Sequence, residues 1–556
     1  MIKNYLKSAF RNLLRNKLYT ALNVAGLTFG ITCFLLIGLY LFDELTFDRQ
    51  HNNASRIYRV IEHKNVSGEE TTIAAVGYKL AEESKNTITE IENVTRMQRI
   101  GRGNVINPNN PENFQESITV TDNRFLSIFD FELLHGDKIT ALKEPNTIVV
   151  TEDLARRLFK TTDIVGKVIK IDFMDKPIKV TGVLKNHLRN SSFDFSLLLS
   201  GASFQSDEDQ LTNDWLSNNF SVYVLLKPDA NSEVVADKMK KLVRSNFTPP
   251  AGTEFSFRLQ SLTAMHLNSE NIVDGARNIN VDAMPQGSSL YIKVFSFVAL
   301  FVLALAGINY MNLTTARASN RLKEIGIRKT MGATVGNLVK QLMIESLIVT
   351  FVSFLFAVVI VELTLPAFNQ FTSKQLVLGG DYRIWLLSIA FVTATGFLSG
   401  SYPSWLLSRS QPVSLLKGLK IEGKNDLSIR KGLIIFQFAI STIMIIGTIV
   451  IFLQVKYLKN ANLGFNKDLL VVIDVNKVKA RSNFETVKSE MAKLPSVKSV
   501  SVTSRVPGEW KMFRTVKIKN DASLEEPKVA YSFGADKDFI KTFEVKLLIF
   551  LLQRFF

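Results

Sequence analysis

The sequence predicts an α-helical membrane protein with five transmembrane helices and an α+β extracytoplasmic domain. Three observations predict it. Apolar residues gather in five long blocks nearly empty of charge. Basic residues cluster beside alternate ends of those blocks. Between the first two blocks lies a long stretch of short alternating runs. The chain has 556 residues, 46% of them apolar and 21% charged, with 40 Phe. That length accommodates several domains. The hydrophobicity excludes a disordered chain. The 29 Gly and 14 Pro show no period, which excludes collagen-like classes. One cysteine, Cys33, excludes a disulfide scaffold.

A helix needs about 20 apolar residues to cross the hydrocarbon core. Segment 19–42 runs 24 residues without a charge, and 294–316 runs 23. Segment 341–361 has 21 residues and one acid, Glu345, near its start. Segment 384–408 has 25 residues with Pro403 inside, and 432–455 has 24. Core helices of soluble proteins keep a polar face and seldom run this long uncharged, so five such blocks read as spans. The first is not a cleaved signal peptide: its basic leader and apolar stretch are long, and no small-x-small site closes it.

Lys and Arg favour the cytoplasmic flanks of spans. Segments 1–18, 314–340 and 409–431 carry 17 bases against 3 acids, most of the net charge of +16. Asp43, Glu44 and Asp48 follow the first span, and 362–383 is balanced. The N-terminus is therefore expected inside, 43–293 outside, 317–340 inside, 362–383 outside, 409–431 inside and 456–556 outside. The charge is topological, and no basic-aromatic groove pattern points to nucleic acid. Within 1–18, Ile2, Leu6, Phe10 and Leu13 share a helical face while Lys3, Lys7, Arg11 and Arg15 recur every four residues. This predicts an amphipathic helix on the anionic inner leaflet.

In the outer stretch, period-2 runs predict strands at 56–61, 117–121, 147–151, 168–172, 178–183 and 221–226. Thr151 is placed to cap a helix over 152–159, and 232–244 reads as a second amphipathic helix. Pro249, Pro250 and Gly252 mark a break, so two lobes are expected. All five His lie here, none at metal-ligand spacing. No nucleophile elbow or Cys/His pair is present. Residues 418–425 nearly spell a phosphate-binding loop, but Asn425 stands where Ser or Thr must hold Mg²⁺, and no strand precedes it. No enzyme activity, metal or cofactor is expected in this chain.

Residues 122–134 align with 536–548 at an offset of 414, and the same offset carries the first span nearly onto the fifth. Residues 456–556 therefore read as a partial second outer domain. The unpatterned apolar end, 549–556, is expected to mark a truncated or frame-shifted product.

The segment after the second span reads Asn-Tyr-Met-Asn-Leu-Thr-Thr-Ala-Arg-Ala-Ser-Asn-Arg-Leu-Lys-Glu-Ile-Gly-Ile-Arg-Lys-Thr-Met-Gly-Ala over 309–333. It resembles the cytoplasmic coupling segment of FtsX/MacB-type ABC transporter permeases. The Glu324–Lys329 run is the most specific part of that likeness. Residues 147–159 and 180–183 resemble the family's MacB-like periplasmic core, and 401–404 with 411–418 resemble the exit of its fourth span. The long, repeated layout is similar to the double-length permeases of Bacteroidetes-type bacteria.

The resemblance implies a bacterial inner-membrane permease whose ATP and Mg²⁺ are held by a separate ABC ATPase. It implies contacts to that ATPase from Arg321, Glu324, Ile325, Gly326, Arg328, Lys329, Met331 and Gly332. It implies mechanotransmission or export, and it allows a periplasmic adaptor or a second permease as further partners. The residues alone give the segment a compatible task. A short helix with apolar and basic faces can seat in a partner's groove, Gly326 allows close approach, and Gly332 can end the helix. Glu345 reads as a helix-start cap or a partner of Lys340. The alternative is a membrane-anchored sensor or binding protein, which would need a signalling module inside, and the longest inner segment has 27 residues.

Overall fold

The computed structural model describes residues 11, 15 and 17–545, except 67, 111, 187–189, 205–213, 216, 274–286, 317–324, 410–423, 462, 467–468, 474, 476–480, 506–513 and 519–527. The leader helix expected over 1–18 and the loop 418–425 lie largely outside them. The chain divides into two compact units. A helical unit takes 1–47 with 287–458, and a sheet unit takes 48–286 with 459–556.

Helix α1, Lys17–Leu45, opens the helical unit. The chain then enters the sheet unit. Its strands are β1 (Ile57–Val66), β2 (Glu69–Ile73), β3 (Ile91–Ile106), β4 (Asn113–Thr121), β5 (Leu133–Gly136), β6 (Thr147–Thr151), β7 (Val168–Ile171), β8 (Ile178–Leu184), β9 (Leu197–Ser200), β10 (Ser221–Leu226) and β11 (Thr253–Ser261). They form one 11-stranded mixed sheet in the order β11-β1-β10-β3-β4-β9-β6-β8-β5, with β2 on β1 and β7 between β3 and β8. The β4–β9 and β6–β8 pairs are parallel and the rest antiparallel. Helices α2 (Tyr78–Thr87), α3 (Phe125–Ile128), α4 (Glu152–Phe159) and α5 (Ser232–Asn246) connect the strands.

The sheet is continuous and carries two cores, and the break expected at Pro249, Pro250 and Gly252 does not divide them, because Val243 before it and Phe255 and Leu259 after it share one core. One core gathers Val60, Leu80, Val94, Val224, Met239 and Val243, from α2, α5 and the strands beside them. The other gathers Val105, Ile118, Ile148, Leu154, Leu158 and Val180 around α4. Strand β6 and helix α4 fall on the predicted ranges, with Thr151 Oγ1 accepting from Leu154 N at 3.5 Å. A third, aromatic cluster packs Phe125, Phe129, Phe131, Phe193 and Tyr223. His51 lies edge-on to Phe129, Phe131 and Phe193, and burial there lowers its pKa to about 4. It serves this core as a neutral ring.

The helical unit resumes with α6 (Ser289–Ala316), α7 (Val335–Thr372), α8 (Tyr382–Arg409) and α9 (Lys424–Asn460). With α1, these make five helices long and apolar enough to cross a membrane among the described residues. Leu27, Ile31 and Leu35 of α1 pack with Leu303 of α6, Val349 and Phe354 of α7 and Val392 of α8. Small residues let the backbones approach. A Cβ added at Gly400 would stand 2.6 Å from Ser346 Oγ, and one at Gly396 3.0 Å from Thr350 Oγ1. Thr28 Oγ1 donates to the Ser353 carbonyl at 3.2 Å, tying α1 to α7.

After α9 come helices α10 (Phe484–Ala492) and α11 (Phe539–Thr542) and strands β12 (Arg514–Ile518) and β13 (Lys528–Ser532). The sequence repeat coincides here with a repeated turn. Asp122 accepts from Thr95 Oγ1, Arg96 N and Arg124 N. Asp536 accepts from Ser501 Oγ, Val502 N and Asp538 N. Phe125 stacks near Phe129 at 4.8 Å, and Phe539 near Phe543 at 4.4 Å.

Candidate functional site

The segment singled out in the sequence forms a tight helical reversal at one end of α7. Arg321 and Glu324 lie outside the described residues; the other six are placed. Residues 325–330 are helical. The turn ends because Gly332 adopts a φ of 92°. Gly332 N donates to the Lys329 carbonyl and Ala333 N to the Arg328 carbonyl, both at 3.0 Å. This pair of bonds is a Schellman closure, and it needs the left-handed residue. Two residues later Thr334 Oγ1 accepts from Asn337 N at 3.3 Å and starts α7. Four local signals therefore fold this stretch on itself.

The reversal has two unlike faces. Ile325 and Gly326 point inward, and Ile325 packs with Leu338 of α7 and Leu407 of α8. Outward, Ile327 is 49% exposed, Met331 83% and Val335 49%. These three exposed apolar side chains mark the outer edge of the reversal. Lys329 lies beside it, and partial burial pushes its ammonium below the ordinary range.

Arg328 joins the reversal to the inside of the bundle. Its Nη1 donates to Gln341 Oε1 at 2.9 Å, and Gln341 Nε2 donates to Glu345 Oε1 at 3.4 Å. Both acceptors are buried. Glu345 lies well inside α7, because the helix begins at Val335 under the Thr334 cap. The helix-start role expected for Glu345 is thereby corrected: polar Asn337 and Lys340 extend α7 ahead of the apolar block.

Beyond Glu345 is a small cavity of about 20 Å³ lined by Tyr19, Asn23, Tyr310, Thr314, Glu345 and Ser346. Tyr19 donates to Thr314 Oγ1 at 2.9 Å and Ser346 Oγ donates to Tyr310 at 2.8 Å. Asn23 is 3% exposed and neither of its amide atoms has a hydrogen-bond partner. A cavity of this size and polarity matches one water rather than a transported solute. Among the described residues no three His, Cys, Asp or Glu side chains are grouped to hold a metal. Sequence reasoning missed Gln341 and Asn23, because a polar residue in an apolar block shows its partner only after folding.

Residues 20–242 match the family described as MacB-like periplasmic core domain, and residues 296–412 match that described as FtsX-like permease C-terminal. The chain belongs to the FtsX/MacB-type ABC transporter permeases. The permease is 26% identical over 287 residues to the macrolide export ATP-binding/permease protein MacB of Neisseria meningitidis serogroup A, covering 50% of this chain and 39% of that protein. It is 25% identical over 305 residues to the uncharacterized ABC transporter permease YknZ of Bacillus subtilis, covering 54% of this chain and 64% of that protein. The match therefore spans less than two thirds of either relative. Among solved structures, the periplasmic region of MacB from Actinobacillus actinomycetemcomitans aligns at 14% identity with a TM-score of 0.26, over 36% of this chain and 88% of that one. The MacB-like match takes in strands β1 to β10 of the sheet, the extracytoplasmic domain of the permease, and the reversal falls within the FtsX-like match.

Proposed function

We propose that this permease works in a bacterial cytoplasmic membrane as the subunit that receives force from an ABC ATPase on a separate polypeptide and transmits it to the extracytoplasmic domain. In this reading ATP and Mg²⁺ stay with the ATPase, the N-terminus is cytoplasmic, and export or mechanotransmission is the output. The observation that carries the reading is the two-faced reversal. Its outer edge of Ile327, Met331 and Val335 offers apolar anchors to a partner groove, with the cation Lys329 beside them. Its inner face is fixed to α7 and α8 through Ile325 and the Arg328–Gln341 bond. A push on the edge therefore moves the bundle rather than bending a loop. The family supports an ATPase partner and a membrane setting, and 17 bases on alternate flanks support the orientation.

Co-purification of the full chain from its own host in mild detergent tests this. A P-loop ATPase is expected with the wild-type chain, and Met331→Asp with Ile327→Asp is expected to remove it. Undiminished ATPase capture by that double variant would overturn the docking role.

A further inference from the structure

Helix α7 has 38 residues, about 57 Å at 1.5 Å per residue. One end is fixed to the reversal. The other end is fixed with equal care. Ser373 takes a φ of 54° and stops the helix. Asn369 then grips the connection beyond it, with Nδ2 donating to the Leu376 carbonyl at 3.0 Å and Oδ1 accepting from Leu376 N at 2.9 Å. Leu376 and Leu378 are buried in the bundle core. These contacts hold Lys374 in one place.

Lys374 Nζ stands 2.7 Å from Asp43 Oδ2 and 2.6 Å from Glu44 Oε1, at the end of α1. It also lies 5.0 Å from the Phe47 ring centre and 5.7 Å from that of Tyr40. Glu44 is 5% exposed and the Lys374 side chain 21%. One ammonium thus serves two adjacent carboxylates in a half-dry aromatic setting. Removing one partner of such a group leaves buried charge uncompensated, so the contact resists separation.

Four residues beyond Glu44, Asp48 is tied into the extracytoplasmic domain. Its N donates to the Asn190 carbonyl at 2.9 Å, and its carboxylate accepts from Ser192 N at 2.8 Å and Ser192 Oγ at 2.5 Å. The backbone runs on from Glu44 through 45–47 to Asp48.

We propose that Lys374 is the output clamp of the permease: a positioning residue that passes displacement of α7 to the end of α1, and through it to the start of the extracytoplasmic domain. The proposal rests on the reading that the Ile327–Val335 edge receives the push, and its test separates the two.

The test is hydrogen exchange on the full chain with its co-purified ATPase in nanodiscs, with and without a non-hydrolysable ATP analogue. Two peptides report, one over 325–340 and one over 43–56. In the wild type both should change on nucleotide binding. Lys374→Met should keep the response at 325–340 and lose it at 43–56, and Lys374→Arg should restore it. A purely structural role would raise exchange at 43–56 without nucleotide and leave the nucleotide-dependent difference intact, which overturns the clamp. A wild-type response at 43–56 with none at 325–340 would overturn the docking edge. No response at either peptide would overturn both.

Discussion

Glu62 on β1 is 1% exposed. One carboxyl oxygen accepts from the Asn218 amide and the other has no hydrogen-bond partner. Burial raises its pKa to about 7, while Lys64 and the Asn218 bond pull it down and Asp214 pushes it up. The folded state therefore keeps a proton that the unfolded chain releases near its ordinary 4.5. Between those values the folded state binds more protons, so stability falls as pH rises through the window, by roughly 3 kcal/mol at most. Below the window the effect vanishes. Glu62→Gln should leave thermal unfolding near pH 4 (about the unfolded pKa) unchanged and raise the melting temperature at about pH 8. An equal shift at both would mean that the gain is packing rather than charge. Gly332 gives the opposite kind of residue effect. Its φ is 92° and an added Cβ would meet nothing, so backbone strain alone sets the cost. Gly332→Ala should weaken the reversal by about 1–2 kcal/mol. Faster amide exchange over 325–333, with α8 unchanged, is the expected signature.

At the scale of elements, the seam between α7 and α8 depends on absent side chains. Gly396 and Gly400 lie one turn apart and face Thr350 and Ser346. Gly400→Leu should separate the helices and lower the melting temperature by several degrees. Gly447→Leu on α9 meets open space and should be tolerated. Equal losses from the two would refute the close-packed seam. Elements were legible where pattern and environment agreed. Strand β10 matches its predicted range because Val222–Leu226 is an uninterrupted apolar run and every residue of Ser221–Leu226 is buried. Strand β3 was hidden, although it is 16 residues long, because Arg96, Arg99 and Arg102 with Gly101 and Gly103 erase its alternation. A register shift at Arg99/Gly101 accompanies that run. The extracytoplasmic fold class was therefore readable, and the central strand of its sheet was not.

At the scale of the whole molecule, the reversal was legible because its signals are local. Ile325, Gly332 and Thr334 act within ten residues of each other. The bonds that would make it part of a transmission line are not local. Lys374 and Asp43 meet across 331 positions of sequence, and no periodicity in either neighbourhood names the other. Orientation belongs to the same scale, because it comes from the summed bias of many Lys and Arg rather than from any contact. It can be tested with residues the structure leaves accessible. In a Cys33→Ser background, Met331→Cys (83% exposed) and Ile139→Cys (71% exposed) provide single thiols in the reversal and the sheet unit. A membrane-impermeant maleimide should label position 139 in intact spheroplasts and position 331 only in inside-out vesicles. Labelling of both from one face would place the reversal in the sheet unit's compartment. The apolar edge would then be out of reach of any ATP-consuming partner, and the basic clusters would need another explanation. Opposite labelling leaves the spanning helices as the path between the two thiols, so force entering at one must cross through α1 and α6–α9 to reach the other.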